Sequence, residues 1–199
     1  MMYLGTHNPA KAKSMAAILQ TVAGDIVVSD IFTFRIDPPL ETGISEIERA
    51  KSKSTYYFQR LNAPVISSDD GFYFSQPIPT DPLSISDVDT KSTAAILYWK
   101  DLFTEHNVTG GVLRKAYSVC TADTNKSASV DIPFSVGANS QSKKETESNI
   151  LNQIIVPSGF SVSIADMTEA QLLEFRIKYL VTPIKKLLQE VGDNYYMIS

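Results

Sequence analysis

Cysteine is almost missing from this chain of 199 residues: Cys120 stands alone, which excludes a disulfide framework and a cysteine zinc site. Histidine is nearly as scarce, and His7 and His106 lie too far apart for zinc-type ligand spacing. No apolar run approaches the roughly 20 residues of a membrane-spanning helix. The N-terminus lacks the charged region and apolar core of a signal peptide. Basic runs are missing too. Lys and Arg total 18 against 22 Asp and Glu, a net charge of −4, which argues against a nucleic-acid binder. No internal repeat or low-complexity linker interrupts the chain. What remains is a length suited to one domain, with room for two lobes and enough apolar residues (43%) for a real core. A cytoplasmic protein with no membrane partner is the default expectation.

The stretch 41–71 organises the rest. Ile44, Ile47, Ala50, Ser54, Phe58 and Leu61 fall at helical spacing on one face. Glu48 and Lys53 lie off that face, so a core does not need them. The apolar run Pro64-Val65-Ile66 then breaks into Ser67-Ser68-Asp69-Asp70-Gly71. This reads as a buried strand that delivers carboxylates at its C-terminal edge, where open α/β sheets bind ligands. Acids on a helix and at a strand end can converge on one divalent cation. Mg²⁺ suits them, because it takes one or two carboxylates together with water and substrate phosphates.

Upstream, residues 2–5 read as a short strand followed by Thr6-His7-Asn8-Pro9-Ala10-Lys11. Thr6 or Asn8 can cap the next helix and Pro9 fits its first turn. Met15, Ala16, Ile18, Leu19 and Val22 form the apolar face of that helix. Lys11 sits at the wrong end for the helix dipole, which makes sense if an anion lies between it and the helix N-terminus. The plainer alternative is a capped helix with a solvated lysine, and these residues alone favour it.

Taken in order, these motifs resemble the inosine triphosphate pyrophosphatase family, the non-canonical purine nucleoside triphosphate pyrophosphatases. Thr6-x-Asn8-x-x-Lys11 is similar to the family's opening motif. Glu41-Thr42-Gly43 followed by Glu48-Arg49-Ala50 and Lys53 resembles its Glu-Thr-Gly…Glu-Asn-Ala-x-x-Lys segment. Ser68-Asp69-Asp70-Gly71 resembles its Asp-Asp-Ser-Gly strand end, and Val156-Pro157-Ser158-Gly159 with Ala165-Asp166-Met167-Thr168 its Val-Pro-x-Gly…Ala-Glu-Met-Ser. The resemblance implies a two-lobed α/β fold with a long twisted mixed sheet flanked by helices and a ligand cleft between the lobes. It also implies Mg²⁺-dependent hydrolysis of a nucleoside triphosphate to monophosphate and pyrophosphate, and a homodimer. Thr6, Asn8, Lys11, Lys53 and Gly71 would then face the phosphates. Glu48 and Asp69 would hold Mg²⁺, and Asp69 would orient or deprotonate the attacking water, with Asp70 nearby.

The departures from the pattern are specific. Aligned on Gly71, the family's paired acids and serine become Ser68-Asp69-Asp70, and its asparagine after the metal-binding glutamate becomes Arg49. The base-binding Phe-x-Tyr-Asp pattern falls on Asn149, Leu151 and Asn152, and a His-Arg pair falls on Ile177-Lys178. An aromatic platform is lost, and Lys178 lacks the planar fork of an arginine. A protein with altered base specificity follows. Two alternatives are a nucleotide-binding protein without turnover and a structural protein that kept only the fold. The remainder reads as a strand at 72–75, a proline-rich loop at 76–90, a helix at 92–105 with Trp99 in its core face, and a hairpin of 112–122 with 128–136. A strand over 150–156 follows, then a final helix from about Thr168 that Pro183 should kink or end.

Overall fold

The computed structural model describes residues 1–24, 26–40, 43–78, 93–137 and 150–192. The strands, in chain order, are β1 (Met2–Leu4), β2 (Val28–Asp30), β3 (Val65–Phe74), β4 (Gly110–Cys120), β5 (Asn125–Val136) and β6 (Ile155–Pro157). They form one sheet of order β2-β1-β3-β4-β5-β6. It is mixed: β1 runs parallel to β2 and β3, with Tyr3 opposite both Ser29 and Val65, whereas β5 and β6 are antiparallel. The helices are α1 (Pro9–Val22), α2 (Glu46–Leu61), α3 (Thr93–Glu105), α4 (Glu169–Arg176) and α5 (Thr182–Val191). The α/β class expected from the sequence is the class observed.

The chain divides into two compact units. The first comprises Met1–Gly71, Arg114–Val130 and Glu174–Ser199. In it, α1 buries Ala12, Met15, Ile18 and Leu19, and α5 buries Ile184, Leu187, Leu188 and Val191. These two helices pack on one another. The second unit comprises Phe72–Leu113 and Asp131–Leu173. Its core joins Ala95, Trp99 and Phe103 of α3 to Val108, Ile150, Leu151 and Ile154.

Three expectations need correction. The acids of β3 do not end a strand, since β3 runs unbroken from Val65 to Phe74. It is β1 that stops, at Leu4, so β3 continues past it with Ser67 and the acids. Ile44 does not belong to the buried helical face. It precedes α2 and is 96% exposed, while Glu46, Ala50, Ser54 and Tyr57 form the buried stripe. Residues 150–156 are not one strand. Ile150–Gln153 form a 3₁₀ turn that carries Leu151 into the core under α3, and only Ile155–Pro157 is extended.

Pro183 does not end the last helix. The five residues Ile177–Val181 widen into a π-helical turn that joins α4 to α5. Proline has no N–H to donate, and its ring clashes with the carbonyl four residues back. A wider turn relieves that clash while the helix continues. The proline-rich loop expected at 76–90, apart from its first residues, and the polar stretch 138–149 lie outside the described residues.

Candidate functional site

β1 is followed by Gly5, whose N–H donates to the carbonyl of Ile66 at 2.7 Å. The Ser67 hydroxyl donates to the Gly5 carbonyl at 3.0 Å. A Cβ at position 5 would fall 2.3 Å from the Ser67 hydroxyl oxygen, so the approach of the two strands requires glycine. Thr6 turns the chain into α1, and its hydroxyl accepts from the Asn8 N–H at 3.1 Å. The Asn8 side-chain oxygen then accepts from the Lys11 N–H at 3.1 Å and caps the helix. The local sequence thus builds the expected capped helix N-terminus beside the acids of β3.

Asp69 and Asp70 are consecutive on a strand, so their side chains leave opposite faces. Asp69 meets α2. Its two oxygens accept from the Arg49 Nε at 2.5 Å and from the Lys53 Nζ at 2.9 Å. Arg49 also donates from Nη2 to Glu46 Oε1 at 3.4 Å. Glu46 lies over Gly71, two residues beyond Asp69 and on the same face: a Cβ there would stand 1.9 Å from Glu46 Oε1. Glu46 and Asp69 are each 5% exposed. On the other face, Asp70 accepts from Lys115 of β4 at 3.1 Å and pairs with Lys11 of α1 at 3.7 Å. Burial alone would raise the Asp70 pKa, but Lys115, Lys11 and Lys53 together outweigh it and hold the carboxyl below its usual value. Tyr117 follows Lys115 by two residues. Its phenol is pushed up by burial and by the Asp70 charge.

Behind Asp69, α2 is fixed to β4 and β5 by polar contacts. Ser54 Oγ lies 3.0 Å from Ser118 Oγ, and Ser118 Oγ lies 2.7 Å from Asn125 Oδ1. The Asn125 amide donates to the Thr55 hydroxyl at 2.7 Å. These contacts hold Arg49 and Lys53 in front of the strand.

Of the residues expected from the sequence, Lys11, Lys53, Asp69, Asp70 and Gly71 come together here, beside Thr6 and Asn8. Glu48 takes another position. Its carboxylate accepts from the N–H groups of Ile44 at 2.8 Å and Ser45 at 3.4 Å, and the Ser45 hydroxyl accepts from the Glu48 N–H. This is a capping box on an exposed side chain. The helix acid that approaches the strand acids is Glu46. The sequence reading missed Glu46 and Lys115. Glu46 is in phase with Ala50, Ser54 and Tyr57, and an acid in a buried helical stripe is the signal that could have found it. Lys115 follows Arg114 in a half-buried strand, and the sequence offers no signal that selects one of these two cations for the site. Asn152 is half-buried on the 3₁₀ turn. Lys178 is exposed, with its ammonium 5.1 Å from the centre of the Tyr179 ring. Glu41, Thr42 and Asn149 lie outside the described residues.

The donor set does not fit a Mg²⁺ ion held by Glu48 and Asp69. Glu48 serves the helix cap, and both Asp69 oxygens face cations. Among the described residues no group of three His, Cys, Asp or Glu side chains could hold a metal. What the arrangement offers is four cations, Lys11, Arg49, Lys53 and Lys115, around three acids at a helix N-terminus.

No protein-family model and no curated protein matches the chain. Solved structures do. A nucleoside-triphosphatase / dITP/XTP pyrophosphatase from Mycobacterium abscessus superposes with a TM-score of 0.64 at 14% identity, over 96% of this chain and 98% of that one. The Ham1 protein of Staphylococcus aureus gives 0.72 at 16% identity, over 96% and 99%. A HAM1 protein from Coxiella burnetii gives 0.71 at 13% identity, over 95% and 98%. The chain therefore has the fold of these proteins over nearly its whole length. Among the described residues no helix is long and apolar enough to cross a membrane.

Proposed function

We propose that this chain binds a nucleoside triphosphate through its phosphates and hydrolyses it to the monophosphate and pyrophosphate. The observation that carries this reading is the set of four cationic side chains converging on two consecutive acids beside the capped N-terminus of α1. Phosphate oxygens and carboxylates compete for the same donors, and Lys and Arg are the side chains that hold them. Lys11, Lys53 and Lys115 would take the phosphates, and the amides that follow Asn8 would add the helix N-terminus. Asp69 would orient the attacking water, and the cations would stabilise charge as the anhydride breaks. The fold shared with a protein titled dITP/XTP pyrophosphatase supports this class of reaction.

The base is the less constrained half of the reading. Asn152 both donates and accepts, and Lys178 offers a point charge, so neither rejects a wrong base as an unpaired fixed donor would. The pocket is then not strict for inosine or xanthosine triphosphate: it is looser, or aimed at a different base or a modified nucleotide. A homodimer, which rests on the family resemblance alone, and the cytoplasm, the default expectation for such a composition, belong to the same proposal.

Pyrophosphate release from a panel of nucleoside triphosphates tests the reaction. Turnover should fall roughly 10²-fold in Asp69→Asn if Asp69 assists the water, and near-normal turnover in that variant would remove its role. A second reading, nucleotide binding without turnover, is favoured by one observation: both Asp69 oxygens are held by cations. Thermal shifts with nucleotides and no released pyrophosphate would select it.

A further inference from the structure

The partners of Glu46 and Asp69 define a device that the resemblance does not contain. Both acids are buried and come from different elements, and Glu46 lies over Gly71, on the face of β3 from which Asp69 projects. A divalent cation commonly cross-links carboxylates placed in this way. Here the bridge is a side chain: Arg49 donates to Asp69 from Nε and to Glu46 from Nη2. Lys53 neutralises the second Asp69 oxygen. Two carboxylates thus face two cations. A guanidinium remains protonated at every pH at which the protein is folded, so it cannot vacate the position by losing a proton. A dication entering between the acids would meet Arg49 at close range, or would have to break its contacts to both carboxylates.

We propose that Arg49 is a resident cation standing in for a divalent metal between Glu46 and Asp69, and that the site takes polyphosphate as the metal-free anion. The second half rests on the phosphate-binding reading above. Lys11 and Lys115 both pair with Asp70, and among the described residues they supply cations on that side for such an anion.

Two measurements on the full chain test this. The first is Mn²⁺ uptake, followed by the electron paramagnetic resonance signal of the free ion, in the wild type, Arg49→Gln, Arg49→Lys and Glu46→Gln. Removing the guanidinium takes away the cation that bridges the two buried carboxylates, so Arg49→Gln should bind Mn²⁺ at least roughly tenfold tighter than the wild type. Arg49→Lys keeps the charge and should stay near the wild type. A wild type that binds Mn²⁺ as tightly as Arg49→Gln, and loses it in Glu46→Gln, would overturn the assignment. Should Arg49→Gln fail to fold by circular dichroism, the wild type and Glu46→Gln decide alone. Equal, weak uptake in both supports the resident arginine, and a site lost in Glu46→Gln rejects it. The second measurement is calorimetry with inorganic tripolyphosphate in EDTA and in excess Mg²⁺. Binding in EDTA at least as tight as with Mg²⁺ is expected, and binding that needs Mg²⁺ overturns the metal-free anion. Tripolyphosphate that binds in neither buffer, with the Mn²⁺ pattern intact, rejects the phosphate-binding function and leaves the role of Arg49 standing.

Discussion

Two residues on β3 can be tested without a substrate. Asp70 has its carboxyl held below the ordinary value of about 4, because three lysines outweigh the cost of its burial. The unfolded chain therefore takes up that proton at a higher pH than the folded one. The stability that Asp70 contributes is complete above the unfolded value and is lost as pH falls through the folded value. Thermal melts in acid should show Asp70→Asn losing less stability than the wild type over that window, and parallel acid limbs would contradict it. Gly71 is the second case. A methyl group there would fall 1.9 Å from Glu46 Oε1, so Gly71→Ala must push Glu46 away and loosen its bridge to Arg49. The atoms that must move all belong to the Glu46 side chain, so we expect a loss of about 1 kcal/mol in urea unfolding, at the low end of overpacking costs. An unchanged midpoint would mean that Glu46 has room to move.

At the scale of elements, α2 carries the site because its start is fixed. Ser45 and Glu48 satisfy one another's backbone donors, and this sets the phase that delivers Glu46, Arg49 and Lys53 to β3. Ser45→Ala should cost about 1 kcal/mol, and protection of the first-turn amides from hydrogen exchange should fall with it. Unchanged protection would place the phase control elsewhere, in the Ser54 and Ser118 contact. Much of this was legible in the sequence, since caps are local: Asn8 before Pro9, and Thr168, whose hydroxyl accepts from the Gln171 N–H at the start of α4. The 3₁₀ turn at Ile150–Gln153 was not legible. An apolar run of that length suits a strand or a buried turn equally, and packing under α3 decided between them. The π-helical turn before Pro183 was only half legible. The clash is a property of proline, but its relief by widening depends on the helix continuing into the packed face of α5.

At the scale of the whole molecule, the fold follows the resemblance closely enough that the structural neighbours span 95% or more of the chain, while identity stays at 13–16%. Fold tolerates such divergence because it needs apolar periodicity and turns, whereas a site needs particular side chains. The dimer is therefore a separate matter. Light scattering at micromolar concentration should read two chains, and a mass of one chain would reject that part of the proposal.

What the sequence determined by itself is whatever depends on neighbours a few residues away. It set the two helix caps, the order of strands and helices around the acids, and the position of Asp69 and Asp70 ahead of a glycine. It could also place Glu48 off the buried face of α2, where it lies. Tertiary structure decided which charges meet. Lys53 reaches Asp69 across 16 residues and Lys115 reaches Asp70 across 45, and no local pattern encodes either pairing. It also decided between two acids a half-turn apart, giving Glu48 to the helix cap and Glu46 to the strand. The physical reason is that periodicity tells which side of a helix is buried, but only the packed partner, here β3 with its bare Gly71, tells what is buried against it.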